Sequence, residues 1–371
     1  MKYDVIIVGA GPAGASTALA LKNTNLKVAL IDKQQFPRDK ACGDAIPGQT
    51  FIALAKLNPK YAEAIKSFKK KQSIKKTLFV NWNGKSTSKT WKHFTYNSTR
   101  TDFDAELLKL ALEENKKIDF LPETKIKQVS YVAEGISCLT DKKNELTAGL
   151  IIGCDGAHSI VKKELLKTKT DLKIEMNCTA VRQYYTGLKH TKSEQNEVYL
   201  TKKYPSGYFW IFPLKNDISN VGFGIENNSG VNVRAAFEEL LKSDKVLAPL
   251  FKNATPLGRV IGAPLPLGGS DNQIIGNRFL LCGDAASLVA PISGSGIDNA
   301  VYSGIMAAKQ VNSCFKQARF DSDVMKPYQD EVHGTLTKTM RSNKTKMKII
   351  TMYPWLMNWL IGILHRFKFG N

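Results

Sequence analysis

The sequence predicts an α/β fold in which a Rossmann-like domain carries an inserted antiparallel β-sheet domain and is followed by a helical C-terminus. Three observations predict it. At three distant places a short apolar run, with the length of a buried strand, ends in a glycine-containing turn or an aspartate before a helix. Between the second and third places the segments alternate in polarity or are rich in aromatic residues. An aromatic and aliphatic stretch closes the chain.

The first of these places lies at the start of the chain. Residues 5–8 form the apolar run, and Gly9, Gly11 and Gly14 follow with G-x-G-x-x-G spacing. The first glycine allows the sharp turn, the second lets the backbone approach a pyrophosphate, and the third lets the helix pack on the strand. The start of that helix, which includes Ala13, offers free N–H groups to phosphates.

A second strand supports the same interpretation. Residues 28–31 are apolar and end at Asp32, which Lys33 follows. Asp32 lies 18 positions after Gly14, where a carboxylate accepts hydrogen bonds from ribose hydroxyls. We therefore predict a dinucleotide site, against the alternative of a strand, loop and helix with chance glycines.

The other two strand ends repeat this logic. Residues 149–154 and 279–282 are apolar runs that lead to an aspartate beside a glycine, and a helix follows each turn. The residues at these turns and helix starts are Asp155, Gly156, Asp284, Gly296 and Ile297. Ligands of open α/β sheets bind at the carboxyl ends of the strands. Three such ends in one chain indicate one extended cofactor across the edge of a single sheet.

The loop at residues 33–48 is too long and too rich in glycine and proline to be a mere connection. It contains Cys42, which is either a small buried residue or, if exposed, a thiolate, because Lys40 and Arg38 would lower its pKa. Gly43 and Asp44 follow it.

Helices and a hairpin are predicted next. Residues 49–57 suit a helix, and residues 77–80 and 91–96 suit hairpin strands. Thr101 and Asp104 form a start signal for a helix over residues 101–114. Arg100 precedes that helix.

The middle of the chain predicts the inserted sheet. Its predicted strands are residues 175–187, 197–202, 208–214 and 219–225. Tyr208, Trp210 and Phe212 alternate and therefore point to one face of their strand. They form either the core of the inserted sheet or an apolar wall of a substrate cavity.

The three strand-end motifs, in this order, resemble those of the FAD-dependent hydroxylase-type flavoproteins over residues 1–315. The resemblance implies that Asp284 meets the ribityl and pyrophosphate part of FAD and that Asp155 and Gly156 form the Asp-Gly motif. It further implies that Gly296 and Ile297 lie beside the flavin ring. The residues implied to hold the ADP half are Gly9, Gly11, Gly14 and Asp32, and Arg100 is implied to lie near FAD as well.

Residues 205–224 match the P-x-x-Y-x-W-x-F-P-x(7–8)-G-x-G pattern of the geranylgeranyl reductase family without a departure. Residues 40–47 resemble that family's Cys-Gly loop near the flavin. The resemblance implies that Tyr208 and Trp210 contact a prenyl chain. It also implies that Cys42 lies near the isoalloxazine ring, where it positions substrate or affects flavin reduction. Tyr208 is a weak candidate for the general acid that supplies the proton. Water and flavin N1 are the alternatives.

The sequence thus indicates an FAD-dependent reductase that saturates double bonds of a polyprenyl group on a lipid, quinone or diphosphate. The first alternative is an FAD monooxygenase or halogenase acting on a small apolar substrate. Halogenases typically have Gly-Trp-x-Trp-x-Ile-Pro at the place of residues 207–213. This chain has tyrosine in place of the first tryptophan and phenylalanine in place of the isoleucine. A flavin-binding protein without turnover is the second alternative. The electron donor is either NAD(P)H or ferredoxin, and no metal is expected.

The FAD-binding domain is predicted to be discontinuous, comprising residues 1–76, 100–168 and 271–315. The substrate domain is predicted over residues 77–99 and 169–270, and the C-terminal helical region over residues 316–371.

The formal net charge of +20 over 371 residues favours anionic partners. The lysines are scattered and no basic module interleaved with aromatic residues is recognised, so we expect no nucleic-acid binding. An anionic membrane surface or a pyrophosphate substrate fits better, although a solvated basic surface without a partner is the alternative. None of the six cysteines forms a C-x-x-C pair. No secretory signal is recognised, so a cytoplasmic location is expected.

The closing stretch, residues 349–367, begins at Ile349 and ends at Phe367. It falls short of the roughly 20 apolar residues that a spanning helix needs. Its aromatic residues and its basic flanks suit an interfacial helix on the inner face of a membrane. A helix docked on the protein's own surface is the alternative.

Overall fold

The structure is a computed structural model, and it describes residues 1–166, 178–188, 192–227 and 230–368. Within these residues two eight-stranded sheets organise the chain. The first sheet contains β1 (Lys2–Val8), β2 (Val28–Ile31), β6 (Ile118–Leu121), β7 (Ile126–Val132), β8 (Gly135–Thr140), β9 (Glu145–Gly153), β15 (Ile275–Gly276) and β16 (Phe279–Leu281).

The centre of the first sheet is parallel, in the order β16-β9-β1-β2-β6. The strands β1, β2 and β16 are largely buried, which is why they read as continuous apolar runs rather than as alternating ones. Because the strands are parallel, the turns after β1, β2, β9 and β16 meet at one edge of the sheet. This is the edge at which the sequence predicts the extended cofactor.

Helices cover this sheet. Those around it are α1 (Pro12–Ala20), α4 (Arg100–Glu114), α5 (Ile160–Leu165), α7 (Ile297–Gln317) and α8 (Ser322–Val332). The helices α1 and α7 approach closely at Gly304, where a β-carbon would overlap the carbonyl oxygen of Ala13. This close contact holds the start of α1 against α7 about two turns from the start of α7. Both helices begin at predicted cofactor motifs.

The second sheet has the order β14-β10-β13-β12-β11-β4-β5-β3. Its strands are β3 (Ala45–Ile46), β4 (Gln72–Val80), β5 (Ser86–Asn97), β10 (Cys178–Thr186), β11 (Gln195–Tyr199), β12 (Gly207–Pro213), β13 (Ile218–Glu226) and β14 (Thr255–Leu265). All neighbours are antiparallel except β11 and β4. Phe209, Ile211 and Phe223 pack with Phe237 of α6 (Val233–Ser243) on one face.

That packing decides where the alternate residues of β12 point. Since Phe209 and Ile211 face the core with α6, the neighbouring Tyr208, Trp210 and Phe212 face the other side of the sheet. These three are thus not part of that apolar core.

Several predicted elements differ from the observed ones. Of the strand predicted over residues 175–187, residues 175–177 lie outside the described part. The helix predicted to start at Thr101 starts one residue earlier, and its N-cap is Thr99, whose side chain accepts a hydrogen bond from the Asp102 N–H. The strand β4 runs across the proposed domain boundary between residues 76 and 77. The remaining helices before the C-terminus are α2 (Gly48–Leu57) and α3 (Pro59–Ser67).

The C-terminal stretch is not the single helix that the sequence predicts. Two helices, α9 (Lys338–Met352) and α10 (Pro354–Lys368), meet at Tyr353 with a bend of 95°. Pro354 starts α10 because proline suits the first turn of a helix but cannot continue α9. In the described part of the chain, no single helix has both the length and the apolar character for a membrane span; the bent pair meets that test by length and composition only.

Candidate functional site

The glycine turn after β1 has the geometry predicted for it. Gly9 has φ +98°, and a β-carbon there would overlap the carbonyl oxygen of Cys154 and lie 3.0 Å from the Asp155 Cα atom. A β-carbon on Gly14 would overlap the Gly9 carbonyl oxygen, so only glycine lets α1 start this close to the strand. Gly11 is the N-cap residue of α1, and no side chain there accepts a hydrogen bond from the first N–H groups of the helix. The helix start is therefore open towards a ligand.

The turn after β16 lies against the same helix start. A β-carbon on Gly283, whose φ is +58°, would lie 3.4 Å from the Ala13 side chain. Gly296 caps α7, again without a side-chain bond, and a β-carbon there would lie 3.4 Å from the Asp284 Oδ1 atom. Ile297 is buried beside it. The first and third motifs therefore form one continuous surface.

Asp32 ties the turns after β1 and β2 together. Its Oδ2 atom accepts the Ala10 N–H at 2.8 Å, and its Oδ1 atom accepts the Gln34 N–H at 2.9 Å. The carboxylate is buried, while Lys33 beside it is exposed.

Asp155 lies at the end of β9, beside Gly9. Its Oδ2 atom accepts the Ile160 N–H at the start of α5, at 2.7 Å. Its buried Oδ1 atom has no hydrogen-bond partner within the described residues, and burial raises the pKa of this carboxyl. Gly156 has φ +85°, and a β-carbon there would meet open space. The second motif thus brings an unsatisfied polar atom to the edge where the other turns meet.

Two buried guanidinium groups lie over the glycine turn. Arg100 Nε and Nη2 donate to the two Asp104 oxygens at 2.6 and 2.7 Å, and Arg38 Nη1 lies 2.9 Å from Asp104 Oδ2. A β-carbon on Gly11 would lie 3.3 Å from Arg38 Nη2 and 4.0 Å from Arg100 Nη2. One carboxylate faces two cations, so the group keeps a net positive charge beside the open start of α1.

Arg100 was predicted from the sequence as a site residue, whereas Arg38 and Lys40 were not. Lys40 Nζ donates to Asp284 Oδ2 at 3.0 Å. Burial alone would raise the pKa of the Asp284 carboxyl, but the Lys40 charge and hydrogen bond hold it below its usual value. The available signal was that both basic residues lie in the unusually long loop of residues 33–48.

Cys42 has a different environment from the one expected. Burial raises the pKa of its thiol, and the cation that opposes this effect is Arg100. Arg38 and Lys40, which were expected to lower that pKa, instead face Asp104 and Asp284. The thiolate that was expected for an exposed Cys42 is therefore not favoured, and the raised pKa fits the alternative of a small buried residue.

The aromatic wall, defined as Tyr208, Trp210 and Phe212, meets the Cys42 loop. The ring centroids of successive members lie 5.9 and 6.2 Å apart. A β-carbon on Gly43 would lie 3.4 Å from the Phe212 ring and 3.5 Å from Trp210 Nε1. Tyr208 Oη donates to the Ser293 carbonyl at 2.8 Å, in the loop before α7. The wall thus joins the two loops that the resemblance places near the flavin.

A buried network, the polar bridge, fixes this arrangement. Its centre is Asn220 on β13, whose Nδ2 donates to the Cys42 carbonyl and to Asp44 Oδ2, both at 2.8 Å. Trp210 Nε1 donates to Asn220 Oδ1 at 2.9 Å, and Tyr184 Oη donates to Asp44 Oδ2 at 2.8 Å. Asn220 and Tyr184 were not predicted from the sequence; the one available signal was a polar asparagine inside an otherwise largely apolar strand.

The comparisons with known proteins agree with this geometry. A family model described as an FAD binding domain matches residues 2–229, more than half of the chain. A digeranylgeranylglycerophospholipid reductase of Methanococcus vannielii is 29% identical over 334 residues, covering 88% of this chain and 81% of the relative. A menaquinone reductase of Mycolicibacterium smegmatis is 28% identical over 339 residues, covering 84% of this chain and 77% of the relative.

Solved structures share the fold. A geranylgeranyl bacteriochlorophyll reductase-like protein from Thermoplasma acidophilum has a TM-score of 0.82 at 20% identity, covering 98% of this chain and 91% of the other. The halogenase PltM has a TM-score of 0.77 at 20% identity, covering 95% of this chain and 76% of the other. At such identities the likeness concerns the fold alone, and it does not separate reductases from halogenases.

The arginine pair over the glycine turn gives a stability prediction. Asp104→Asn removes the carboxylate that forms ion pairs with both the Arg38 and the Arg100 guanidinium groups. We expect the free energy of unfolding at pH 7, measured by urea denaturation, to fall by about 3 kcal/mol because buried cations lose their counter-charge. Glu113→Gln, which changes an exposed carboxylate of the same helix, should have little effect.

The pH dependence of this loss of stability tests whether its cause is electrostatic. Burial alone would raise the pKa of the Asp104 carboxyl, but Arg100 and Arg38 hold it below its ordinary value. A depressed folded-state pKa contributes stability above about pH 4 that is lost as the pH falls through the folded value. The difference between wild type and Asp104→Asn should therefore shrink in acid; a difference that is constant with pH would contradict the electrostatic cause.

Proposed function

Because this chain belongs to the FAD binding domain family, we propose that it is an FAD-dependent reductase that saturates double bonds of a polyprenyl group on a lipid, quinone or diphosphate. The observation that carries this proposal is the contact between the Cys42 loop and the aromatic wall at one end of the cofactor motifs. Relatives named as reductases of a prenylated lipid and of menaquinone support it.

The residues present fit FAD. The glycine turn, the two open helix starts and the positive charge of Arg38 and Arg100 suit a pyrophosphate. The Asp155 Oδ1 atom lies at the same edge of the sheet and finds, among the described residues, no partner of the kind that a buried polar atom requires. The residues proposed to hold the cofactor are Gly9, Gly11, Ala13, Gly14, Asp32, Lys33, Cys42, Gly43, Asp44, Arg100, Asp155, Gly156, Asp284, Gly296 and Ile297.

FAD, when bound and reduced, supplies a hydride for an alkene carbon. The chain's own contribution is to bind and orient the apolar substrate and to exclude water. The aromatic wall offers three adjacent rings for a prenyl chain, with Trp210 Nε1 satisfied by Asn220 and Tyr208 Oη satisfied by Ser293. Because both polar tips are already paired, the rings can face an apolar chain without unsatisfied donors. Cys42 positions substrate from the opposite loop, and Tyr208 connects the wall to the loop before α7.

A monooxygenase or halogenase is the alternative. It shares the cofactor motifs and the fold, as the halogenase structure illustrates. Against it, Tyr208 and Phe212 stand where halogenases typically have tryptophan and isoleucine. The named reductases also match this chain over more than four fifths of its length.

A mass measurement separates the two functions. We expect the protein, loaded with FAD and reduced by dithionite without oxygen, to be reoxidised by a geranylgeranyl lipid. Mass spectrometry should then show a product two mass units heavier for each saturated bond, because one hydride and one proton are added. The same lipid with its chain fully saturated is the control and should leave the flavin reduced. Reoxidation that requires oxygen and yields a product sixteen mass units heavier would contradict the reductase.

We further propose that the protein docks on an anionic membrane surface, where a lipid substrate lies. In the described part of the chain, half of the exposed large hydrophobic side chains lie on the last turn of α9, on α10 and at Tyr353 between them. They are Ile349, Met352, Tyr353, Trp355, Leu356, Trp359, Leu360 and Leu364.

The helix α10 is fixed on the hairpin of β4 and β5. Asn81 Nδ2 donates to the Asn358 carbonyl at 2.9 Å, and His365 Nδ1 lies 2.9 Å from the Ser86 carbonyl oxygen. Ile361 is buried against the protein. The helix therefore docks on the chain with one face, as the alternative for this stretch expects, and presents an aromatic face outward. Contact of that outward face with a membrane is part of the proposal. Exposed Lys346 and Lys348 supply positive charge beside that face.

Vesicle sedimentation tests this surface. Trp355→Ser combined with Trp359→Ser should weaken binding to vesicles of phosphatidylcholine and phosphatidylglycerol at least tenfold, since burying a large apolar side chain is worth about 1.5–3 kcal/mol. Added salt should weaken wild-type binding. Leu139→Ser, which changes an exposed leucine of β8, is the matched control and should bind like wild type. Wild-type protein that does not sediment, or a double variant that binds equally, would contradict the proposal.

A further inference from the structure

The hairpin on which α10 docks belongs to a segment of unusual charge. This basic segment, residues 64–101, runs from α3 through β4 and β5 to the start of α4 and contains nine lysines but no aspartate or glutamate. In the described part of the chain, carboxylates outside the segment form ion pairs with three of these lysines, Lys66, Lys70 and Lys75. The segment therefore keeps a strong positive charge, which favours an anionic partner.

A bulge in β5 exposes two aromatic rings within this segment. The register of β4 and β5 shifts there, so that residues 91–94 lie opposite a single residue of β4. All four residues of the bulge are exposed, and 67% of the Phe94 surface and 38% of the Trp91 surface face solvent. The exposed Lys89 and Lys92 lie beside these rings in the sequence, and Lys89 Nζ lies 4.8 Å from the centre of the Trp91 ring. Apolar rings and positive charge are thus combined on one short stretch.

Contacts with the rest of the chain hold the bulge in place. Trp91 Nε1 donates to Thr77 Oγ1 at 3.1 Å, and the Phe94 ring stacks on the buried Tyr96 ring with centroids 6.4 Å apart. A β-carbon on Gly48, at the start of α2, would lie 2.8 Å from the Phe94 carbonyl oxygen. The exposed rings therefore have defined positions beside α2, the helix that follows the Cys42 loop.

Protection of the sheet edge does not account for both kinds of side chain. In the described structure β5 has a free edge between Ser86, which His365 contacts, and Tyr96, which pairs with β3. Lysines on such an edge discourage pairing with another chain, whereas exposed tryptophan and phenylalanine favour association. Aromatic rings with lysines around them are the combination that suits the head-group region of an anionic bilayer.

We propose that the β5 bulge and the lysines beside it form a second contact with the anionic membrane, separate from the aromatic face of α10. This inference rests on the membrane docking proposed above. The two contacts belong to one structural unit, because α10 docks at the turn of the hairpin and the bulge lies in its second strand. Two contacts restrict the orientation of the protein on the bilayer more than one does, and they place the start of α2, where the Cys42 loop ends, near the lipid.

Removal of the two rings tests the proposal. Trp91→Ser combined with Phe94→Ser should weaken sedimentation of the FAD-loaded protein with vesicles of phosphatidylcholine and phosphatidylglycerol by about tenfold or more, because two large apolar side chains no longer enter the interface. Val132→Ser combined with Leu139→Ser is the matched control. It removes two exposed side chains of β7 and β8, whose exposed fractions are 42% and 40%, and should bind like wild type.

The charge is tested separately. Lys89→Gln combined with Lys92→Gln should weaken binding to vesicles that contain phosphatidylglycerol by about tenfold or more, because each lysine near the surface is attracted to anionic lipid. Binding to vesicles of phosphatidylcholine alone should not change. Lys242→Gln combined with Lys245→Gln, which alters two exposed lysines on and just after α6, is the control and should bind like wild type.

Hydrogen exchange locates the contact. The backbone N–H groups of residues 88–94 should exchange more slowly when wild type is bound to the phosphatidylglycerol vesicles, while those of β7 should not change. The combined variant Trp355→Ser and Trp359→Ser, at a lipid concentration that still binds it, should show the same protection, because the bulge contacts the membrane independently of α10.

The outcomes are distinct. A ring variant or a lysine variant that keeps the wild-type flavin spectrum and thermal stability and binds vesicles as tightly as wild type would overturn the inference. Unchanged hydrogen exchange at residues 88–94 would also overturn it and would leave an acidic protein as the partner of the basic segment. If the ring variant does not fold, the hydrogen exchange of wild type decides.

Failure of this inference can be told from failure of the functions proposed above. Wild type that binds no vesicles would remove the membrane docking and this inference together, whereas binding that depends on α10 alone would remove only this inference. None of these measurements requires alkene saturation, so the reductase function stands or falls by its own test.

Discussion

The arrangement of the site depends on one buried asparagine. Asn220 uses both ends of its amide: Nδ2 donates to the Cys42 carbonyl and to Asp44, and Oδ1 accepts from Trp210. These bonds connect the loop that follows the second strand of the parallel sheet with the inner face of the antiparallel sheet. An unsatisfied buried donor or acceptor costs about 1–3 kcal/mol. The Cys42 loop and the aromatic wall are therefore expected to keep their relative positions. The chemistry proposed here takes place between two sheets that this amide holds together.

A second constraint is the concentration of charge at the other end of the site, which is buried at Arg100 and Asp104, largely buried at Arg38 and half-exposed at Lys40. Arg38 and Arg100 share Asp104, and Lys40 pairs with Asp284. Buried ion pairs are costly to form, so they are weak evidence for stability alone. Their position over the glycine turn suits the recognition of an anion, with open helix starts supplying further N–H groups. The site thus combines a polar, positive end with an apolar, aromatic end, as an elongated cofactor and a lipid-like substrate require.

The parts of the fold that local chemistry determines were predictable from the sequence. Gly9 and Gly14 are recognisable because any β-carbon would overlap backbone atoms, and the buried parallel strands are recognisable as apolar runs. Long-range pairings were not predictable. Nothing local indicates that Arg38 turns to Asp104 instead of Cys42, or that Tyr184 reaches Asp44 from another sheet. The break at Tyr353 was missed although Pro354 was the signal for it.

The most direct test of this account is the crystal structure of the protein with FAD bound. We expect electron density for the pyrophosphate at the start of α1, beside Gly11 and Arg100. We expect density for the isoalloxazine ring between the Cys42-Gly43 loop and the aromatic wall, with the Asp44–Asn220 hydrogen bond intact. An isoalloxazine ring directed away from Trp210, or a polar bridge broken by the cofactor, would contradict it.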